Sequence, residues 1–295
     1  MPGLENQASH LYFAGIDIGS TMSKAAVVDA EGKMLAYVVG PTGAEHRLRA
    51  NRVMEDVLGR AALSLDAIAY IISTGYGRVN VPFADKQVTE LTCHARGVAV
   101  FFPEVRTAID IGGQDAKVLK IKNGRLVDFL TNDKCAAGTG RFLEVAAETL
   151  GLELNEMGRI SLQTDTPVKI NSLCTIFAQQ EIISRLSEGQ PLPDILAGVY
   201  IAIATRVVKL ARQLKVEIPV VFTGGVAKNT GMVKAMETVL GVPVLVPEEP
   251  LITGCLGAAI LARDEAFKLI QRGEYEAHRD KKLTEAYIDF GEKGR

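Results

Sequence analysis

Short apolar runs separated by polar turns open the chain, and runs of this length bounded by turns are typical of β-strands. The pattern predicts three successive strands, over Phe13 to Ile18, Ala25 to Asp29 and Met34 to Val39. From Arg47 to Leu63 the apolar residues instead recur at the spacing of one helix face. A short buried strand over Ala69 to Ser73 follows, so this part of the chain mixes strands with helices.

The same alternation continues along the rest of the chain and indicates an α/β fold. Further apolar strands are predicted over Ile109 to Ile111, Val118 to Ile121, Pro219 to Phe222 and Val242 to Val246. Helical spacing or helix-capping residues predict helices over Leu91 to Phe102, from Asn132–Asp133 to Leu150, from Asn171–Ser172 to Leu186, over Asp194 to Lys215, from Asn229 onward and over Gly254 to Ile270.

Two stretches of the sequence are copies of one unit. GIDIGSTMSKAAVVDAEGKML and AIDIGGQDAKVLKI-KNGRL align so that Asp17 matches Asp110 and Lys24 matches Lys117, with one residue inserted at the later turn. An internal repeat of this kind indicates a chain built from two similar halves. We expect the first half to comprise residues 1–104 with 254–295, and the second half residues 105–253.

Composition and charge narrow the range of partners. The 295 residues carry a net charge of −2 with 23% charged side chains, which indicates neither nucleic acid nor an anionic membrane as a main partner. The first residues lack the basic and apolar regions of a secretory signal. The most apolar long segment, Ile195 to Ala211, is interrupted by Arg206 and Lys209. We therefore expect a cytoplasmic protein.

Glycine turns follow three of the predicted strands, at Gly19, Gly112–Gly113 and Gly224–Gly225. Glycine allows backbone N–H groups to converge on a phosphate, because the chain can approach the anion closely and adopt positive φ. Side chains beside the first turn would add hydrogen-bond donors and a cation: Ser20, Thr21, Ser23 and Lys24.

Asp17 and Asp110 end equivalent strands just before two of these turns. Two carboxylates there would hold Mg²⁺ through its bound water molecules. A single glycine turn is more often an ordinary β-turn, and the spacing matches neither a Walker loop nor a Rossmann motif. Recurrence in both halves, with a third turn opening a helix, favours phosphate binding.

Cys135 and Cys174, two of the four cysteines, follow residues that cap helices. The partial positive charge of a helix N-terminus favours a thiolate at this position. An iron–sulfur cluster needs four thiolates, which a C2 dimer would supply from two chains. Zinc would accept the same four sulfurs, and two unrelated core thiols would fit the pattern as well. Cys93 and Cys255 are interpreted as buried packing residues.

Six motifs occur in a fixed order over roughly residues 13–262: GIDIGST, STGYGR, DIGGQDAK, NDKCAAGTGRFLE, NSLCTIFAQQE and FTGGVAKN. The glycine turns resemble those of the actin-like and sugar-kinase-like ATPase superfamily. The full set is similar to the ATP-dependent activators of 2-hydroxyacyl-CoA dehydratases and to the ATPase subunits of benzoyl-CoA reductase. The resemblance implies two ribonuclease-H-like halves with a nucleotide cleft between them. It also implies a homodimer in which Cys135 and Cys174 of each chain hold one shared [4Fe-4S] cluster.

The function implied by this resemblance is ATP hydrolysis coupled to low-potential electron transfer. A reduced ferredoxin or flavodoxin would supply the electron, and an iron–sulfur acyl-CoA dehydratase or reductase would receive it. Asp17 and Asp110 would organise Mg²⁺, and Gln114 would orient the attacking water. The residues that we expect to contact ATP or ADP are Gly19, Ser20, Thr21, Lys24, Gly112, Gly113, Gly138, Thr139, Gly140, Glu181, Gly224, Gly225, Val226 and Asn229. Of these, the last four would frame the adenosine, and Glu181 or its neighbour Gln180 would reach the ribose.

Two other functions remain open from the sequence. A small-molecule kinase of the same superfamily would act on a sugar or an acid and carry inert cysteines. An actin-like scaffold or nucleotide sensor would bind partners without any cluster. The sequence also leaves open whether Arg78, in the segment TGYGR, is a surface charge or a partner contact.

Overall fold

The computed structural model describes residues 11–132, 136–171, 174–276 and 283 of the chain. These residues form two compact units. The first comprises the described residues of Met1–Gly97 and Ile252–Arg295, and the second comprises those of Val98–Leu251. Each unit contains a five-stranded sheet.

The sheet of the first unit has the strand order β3-β2-β1-β4-β5. Its strands are β1 (Tyr12–Ile18), β2 (Met22–Val28), β3 (Met34–Pro41), β4 (Ile68–Thr74) and β5 (Lys86–Gln87). β1 pairs antiparallel with β2 and parallel with β4, which puts β1 at the centre. Every residue of β4 and all but the first of β1 are buried. Burial on both faces explains why these strands read as continuous apolar runs.

Among the described residues, the α-helices α1 (His46–Ala61) and α8 (Thr253–Arg272) lie in the first unit, and α2 (Glu90–Phe101) begins there and ends in the second. α1 and α8 pack on the sheet, and α2 packs on α8 through glycines. At Gly15 in β1, an added Cβ would collide with the backbone of Cys255 and Ala259 in α8. The closeness of this helix to the central strand therefore depends on the absence of a side chain at position 15.

The sheet of the second unit has the order β10-β9-β6-β7-β8. Its strands are β6 (Thr107–Ile111), β7 (Ala116–Lys122), β8 (Arg125–Asn132), β9 (Val220–Thr223) and β10 (Val244–Leu245). The helices of this unit are α3 (Gly140–Leu150), α4 (Leu154–Ser161), α5 (Thr175–Ser187), α6 (Leu192–Gln213) and α7 (Thr230–Leu240). Tyr200 and Ile203 of α6 and Phe222 of β9 are fully or almost fully buried in its apolar core.

The internal repeat predicted from the sequence is confirmed by the two sheets. In each, a three-stranded antiparallel meander is extended by a strand parallel to its first strand. The registers coincide as well, because Asp17 lies opposite Lys24 and Asp110 lies opposite Lys117. The helices predicted over Arg47 to Leu63, Leu91 to Phe102, Asp194 to Lys215 and Gly254 to Ile270 are confirmed within two residues at each end.

The predicted helix start at Asn132–Asp133 is wrong. α3 begins at Gly140 with Thr139 at its N-cap position, and Asn132 is instead the last residue of β8. The Asn132 amide donates to the carbonyl of Ala137, 3.0 Å away, so it bonds within the loop before the helix. Asp133 and Cys135, on which the rest of this prediction depends, lie outside the described residues.

The next predicted helix start is shifted. α5 begins at Thr175, and Cys174 is its N-cap residue rather than a residue of the first turn. Ser172 lies outside the described residues, and the backbone N–H of Asn171 donates to the carboxylate of Glu181 at 3.1 Å. Three elements were not predicted: α4, the two-residue strand β5, and β8, whose side chains are mostly exposed. Among the described helices, none is both long and apolar enough to cross a bilayer.

The glycines of two helices should respond in opposite directions to substitution by alanine. In α8, a Cβ at Gly257 would meet the carbonyl of Cys93 and lie 2.6 Å from the nitrogen of Gly97. Gly257→Ala should therefore lower the free energy of unfolding by about 1–3 kcal/mol. In α1, no atom lies within 4 Å of the corresponding position at Gly59. Gly59→Ala should raise the free energy of unfolding by about 0.5–1 kcal/mol. Urea unfolding of both variants measures the two values, and equal shifts would contradict the close packing of α2 on α8.

Candidate functional site

The glycine turn at Gly19 is stabilised by the buried hydroxyl groups of Thr42 and Ser23. The N–H of Gly19 donates to the carbonyl of Met22 at 3.1 Å, and the hydroxyl of Thr42 donates to the Gly19 carbonyl at 2.7 Å. Because a hydroxyl has one hydrogen, Ser23 must be the donor in its 2.8 Å bond to Thr42. Ser23 is fully buried, so it supports the turn and does not offer the donor that we expected. Ser20 is exposed, as expected for a ligand contact.

Asp17 and Lys24 form a buried ion pair beside this turn. The Lys24 Nζ lies 3.1 Å from Oδ2 of Asp17, and only 13% and 8% of the two side chains are exposed. The pair follows from the strand register, which sets the two residues opposite each other on β1 and β2. A buried carboxylate with a cationic neighbour is held in one orientation by the ion pair.

The second unit repeats this arrangement. The N–H of Gly112 donates to the carbonyl of Asp115 at 2.9 Å and closes the turn. Lys117 Nζ lies 2.7 Å from Asp115 and 3.8 Å from Asp110. The hydroxyl of Thr223, at the end of β9, donates to Oδ1 of Asp110 at 3.1 Å. Asp110 is buried like Asp17, whereas Gln114 at the tip of the turn is exposed and open to a water or a ligand.

The second turn is bonded directly to the start of α3. The N–H of Gly140 donates to the carbonyl of Gly112 at 2.8 Å, and the N–H of Arg141 donates to that of Gly113 at 2.9 Å. A Cβ at Gly140 would lie 3.1 Å from the Gly112 carbonyl and 3.3 Å from Cγ2 of Val226. Three predicted segments, the turn, the glycine-rich helix start and the loop after β9, are thus brought together within this unit.

Gly138 and Thr139, which we expected to contact ATP or ADP just before α3, have structural roles. Thr139 is fully buried, and its hydroxyl donates to the carbonyl of Ala136 at 2.7 Å. Its single hydroxyl hydrogen is therefore already used. Gly138 has a φ of +94°, and a Cβ there would lie 3.2 Å from Cδ of Arg206. A direct phosphate contact by Gly138 or Thr139 stays a prediction.

The loop after β9 contains the residues predicted to frame the adenosine. Gly225 is exposed, whereas Val226 is almost fully buried. The side-chain amide of Asn229 donates to the carbonyl of Leu154 at 2.8 Å, and its oxygen accepts from the N–H of Met232 at 3.2 Å. Asn229 thus caps α7 and fixes the loop to α4, and a direct contact with adenosine stays a prediction.

The predicted contact of Glu181 with a ribose also stays a prediction. Its carboxylate accepts hydrogen bonds from the backbone N–H of Asn171 at 3.1 Å and lies 3.6 Å from Arg185. These bonds fix Asn171 to the middle of α5.

The described cysteines have contrasting environments. Cys174 is exposed at the N-cap of α5, and the two apolar residues of the first turn, Ile176 and Phe177, are 69% and 68% exposed. Cys93 and Cys255 are fully buried, which confirms their interpretation as packing residues. Burial raises the pKa of the Cys93 thiol to about 12 and raises the pKa of the Cys255 thiol as well. Within residues 11–132, 136–171 and 174–276, no three His, Cys, Asp or Glu side chains are grouped to hold a metal ion.

Comparison with known protein families matches residues 14–262 to the BadF/BadG/BcrA/BcrD ATPase family. The chain belongs to this family. The family membership confirms the resemblance found in the motifs. Both duplicated glycine turns lie within the matched residues of this ATPase family.

Two relatives are similar to this chain over nearly their whole length. The 2-hydroxyisocaproyl-CoA dehydratase activator of Clostridioides difficile is 47% identical over 262 residues, which are 87% of this chain and 96% of the relative. The (R)-2-hydroxyglutaryl-CoA dehydratase activating ATPase of Acidaminococcus fermentans is 41% identical over 259 residues, 88% of this chain and 99% of the relative.

A solved structure supports the same assignment. The activator of the 2-hydroxyisocaproyl-CoA dehydratase from Clostridium difficile, with bound ADPNP, is 46% identical and gives a TM-score of 0.82. The match covers 88% of this chain and 97% of that chain. The predicted α/β fold of two actin-like ATPase halves is confirmed by this similarity.

Alkylation should separate the exposed cysteine from the buried ones. In metal-free protein at pH 8, iodoacetamide should modify Cys174 readily, because its side chain is exposed. With a pKa of about 12, only about 10⁻⁴ of the Cys93 side chains are thiolate at pH 8. The rate of alkylation at Cys93 should therefore still rise about tenfold per pH unit above pH 8. Peptide mapping by mass spectrometry measures both sites. Unfolding in guanidinium should abolish the difference, and equally fast modification of Cys93 in folded protein would contradict its burial.

Proposed function

We propose that this protein uses ATP hydrolysis to drive low-potential electron transfer. A reduced ferredoxin or flavodoxin supplies the electron, and an iron–sulfur acyl-CoA dehydratase or reductase accepts it. The observation that carries the proposal is the pair of backbone bonds from Gly140 and Arg141 to the glycine turn at Gly112–Gly113. Cys135 precedes Gly140 by five residues, so a phosphate-type turn and a cysteine segment are joined within one unit.

The glycine turns of both units are the proposed phosphate contacts, with Ser20, Thr21 and Lys24 beside the first one. Asp17 and Asp110 are the residues that would hold Mg²⁺ through its water molecules, since each carboxylate is buried and lies beside a lysine. Gln114 is exposed at the tip of the second turn and orients the attacking water.

The residues after β9 hold the adenosine. Gly225 provides an exposed backbone surface, and Val226 supplies an apolar wall beside the second turn. In this proposal Asn229 acts by fixing the loop, because both ends of its amide are bonded to the protein.

The cysteines call for a second copy of the chain. A cluster of four irons takes four thiolates, and this chain offers Cys135 and Cys174 for it. Cys174 is exposed, as a cysteine that binds one cluster together with a second chain must be. Ile176 and Phe177 beside it are large apolar side chains that are two-thirds exposed, which suits coverage by a symmetry-related partner. When bound, the [4Fe-4S] cluster would accept and release one electron at a time.

Nucleotide can move the cysteines only if it binds two conformations with different affinity. The bonds between the second turn and α3 give a physical route, since a shift of the turn moves the helix start with it. A change of about 100 mV in the potential of a one-electron carrier corresponds to about 2.3 kcal/mol, which ATP binding and hydrolysis can supply.

The kinase alternative fits the cysteines poorly. A kinase would have no use for an exposed thiol beside exposed apolar residues, and its cysteines would be expected in the core, as Cys93 and Cys255 are. Three relatives that are 41–47% identical are named as dehydratase activators or as an activating ATPase.

Removal of Cys174 should abolish iron binding. Protein purified without oxygen should contain about four iron and four sulfide per dimer, because four thiolates ligate one cluster. Cys174→Ser should lose nearly all of both. Cys255→Ser is the matched control and should keep them, since Cys255 is buried and bonds to the Ile252 carbonyl at 3.2 Å. Iron-free wild-type protein, or iron retained in Cys174→Ser, would refute the cluster assignment.

Asp110→Asn should lower Mg²⁺-dependent ATP hydrolysis by about 10²-fold or more in kcat/KM, because a charge that organises the metal is lost. The fold should persist, since Lys117 keeps its 2.7 Å partner Asp115. Asp128→Asn, on exposed β8, is the control and should hydrolyse ATP like the wild type. Release of ADP and phosphate is measured without any acceptor. Hydrolysis that requires a sugar or acid acceptor would instead favour a kinase.

A further inference from the structure

The segment Thr74–Arg78, which we call the TGYGR loop, begins at the last residue of β4 and is fixed by hydrogen bonds to β1, to β4 and within itself. The N–H of Gly77 donates to the carbonyl of Ile18 at 2.7 Å, at the end of the strand that carries Asp17. The guanidinium of Arg78 donates to the carbonyl of Gly75 at 3.1 Å, and the hydroxyl of Ser73 donates to the carbonyl of Arg78 at 3.0 Å. Arg78 therefore serves to close the loop.

Gly75 lies directly against the carboxylate of Asp17. Its φ is +87°, and an added Cβ would collide with Oδ1 of Asp17 and with the carbonyl of Ile18. On the other side of the carboxylate, a Cβ at Gly254 would lie 2.9 Å from Oδ2. Lys24 Nζ is 3.1 Å from the same Oδ2. The two oxygens of Asp17 are thus flanked by two glycines and one lysine.

The second unit contains the same arrangement around Asp110. Thr74 lies opposite Asp17 in the register of β1 and β4, and Thr223 lies opposite Asp110 in that of β6 and β9. The residue that follows is a glycine in both units, with φ of +87° at Gly75 and +86° at Gly224. A Cβ at Gly224 would collide with the carbonyl of Ile111 and lie 2.9 Å from Oδ1 of Asp110. The TGYGR loop is therefore the counterpart, in the first unit, of the loop after β9.

We propose that the TGYGR loop is a positioning element for Asp17, with Gly75 as the contact and Arg78 as the clamp. This proposal rests on the proposed role of Asp17 in organising Mg²⁺. A carboxylate that holds a metal through water must keep one orientation, because the bound waters transmit any displacement to the ion. The absence of a side chain at Gly75 leaves space for the carboxylate of Asp17. The hydrogen bonds of Arg78 hold the loop at a fixed distance from this carboxylate.

The test is the Mg²⁺ concentration that gives half-maximal ATP hydrolysis in the full-length protein, purified without oxygen. Gly75→Ala should raise it by about tenfold or more, the usual effect of losing support around a metal ligand. Arg78→Met should raise it by about threefold or more, because it loosens the loop without adding an atom near Asp17. Gly273→Ala is the matched control, since Gly273 also has a positive φ, of +71°, but no atom lies within 4 Å of its missing Cβ.

The control should lose stability through its backbone strain but keep the wild-type Mg²⁺ requirement. A thermal unfolding midpoint, recorded for each variant, separates loss of stability from displacement of Asp17. If Gly75→Ala fails to fold, Arg78→Met decides alone. Mg²⁺ requirements of both loop variants within twofold of the control would overturn the positioning role. Absence of Mg²⁺-dependent hydrolysis in the wild type would overturn the proposed function itself, which is a different result.

Discussion

Two backbone hydrogen bonds tie the glycine turn at Gly112–Gly113 to the first residues of α3. The N–H groups at a helix start have no partner inside the helix, so the turn satisfies donors that would otherwise need water or a ligand. Gly140 makes the approach possible, since a Cβ there would press on both the turn and Val226. The position of the turn and the position of the helix start are therefore not independent in the second unit. The proposed coupling of nucleotide to the cysteine centre depends on this interaction.

Duplication gives each unit the same device for holding a carboxylate. In both units the aspartate is the penultimate residue of the first strand and faces a lysine across a hairpin. On its other side it lies opposite the threonine that ends the parallel strand, and a positive-φ glycine follows that threonine. The two copies differ in what surrounds the device. The first turn is supported by buried hydroxyls from Thr42 and Ser23, whereas the second is supported by the helix start at Gly140. The unit whose turn is supported by a helix start is also the unit whose sequence contains the two proposed cluster ligands.

Features that depend on neighbouring residues were predictable from the sequence, and features that depend on distant ones were not. The strand–turn repeat places Asp17 opposite Lys24, and the apolar spacing of α6 gives its bounds within two residues. The support of Gly19 by Thr42 joins positions 23 residues apart, and no local pattern reports it. Likewise, Asn229 has the sequence of a ligand residue but uses its amide to bond Leu154, 75 positions away. The start of α3 was misplaced because Asn132 is a good helix cap by type, yet it pairs in β8 instead.

Hydrogen exchange at the start of α3 tests the coupling most directly. Amide exchange of the full-length protein is measured in the segments around Gly112–Gly113 and Gly140–Arg141, without nucleotide, with Mg²⁺ and a non-hydrolysable ATP analogue, and with ADP. We predict that both segments change protection together and differ between the two nucleotides, because their amides and carbonyls are bonded to each other. Protection of the glycine turn by nucleotide with unchanged exchange at Gly140 and Arg141 would contradict the coupling.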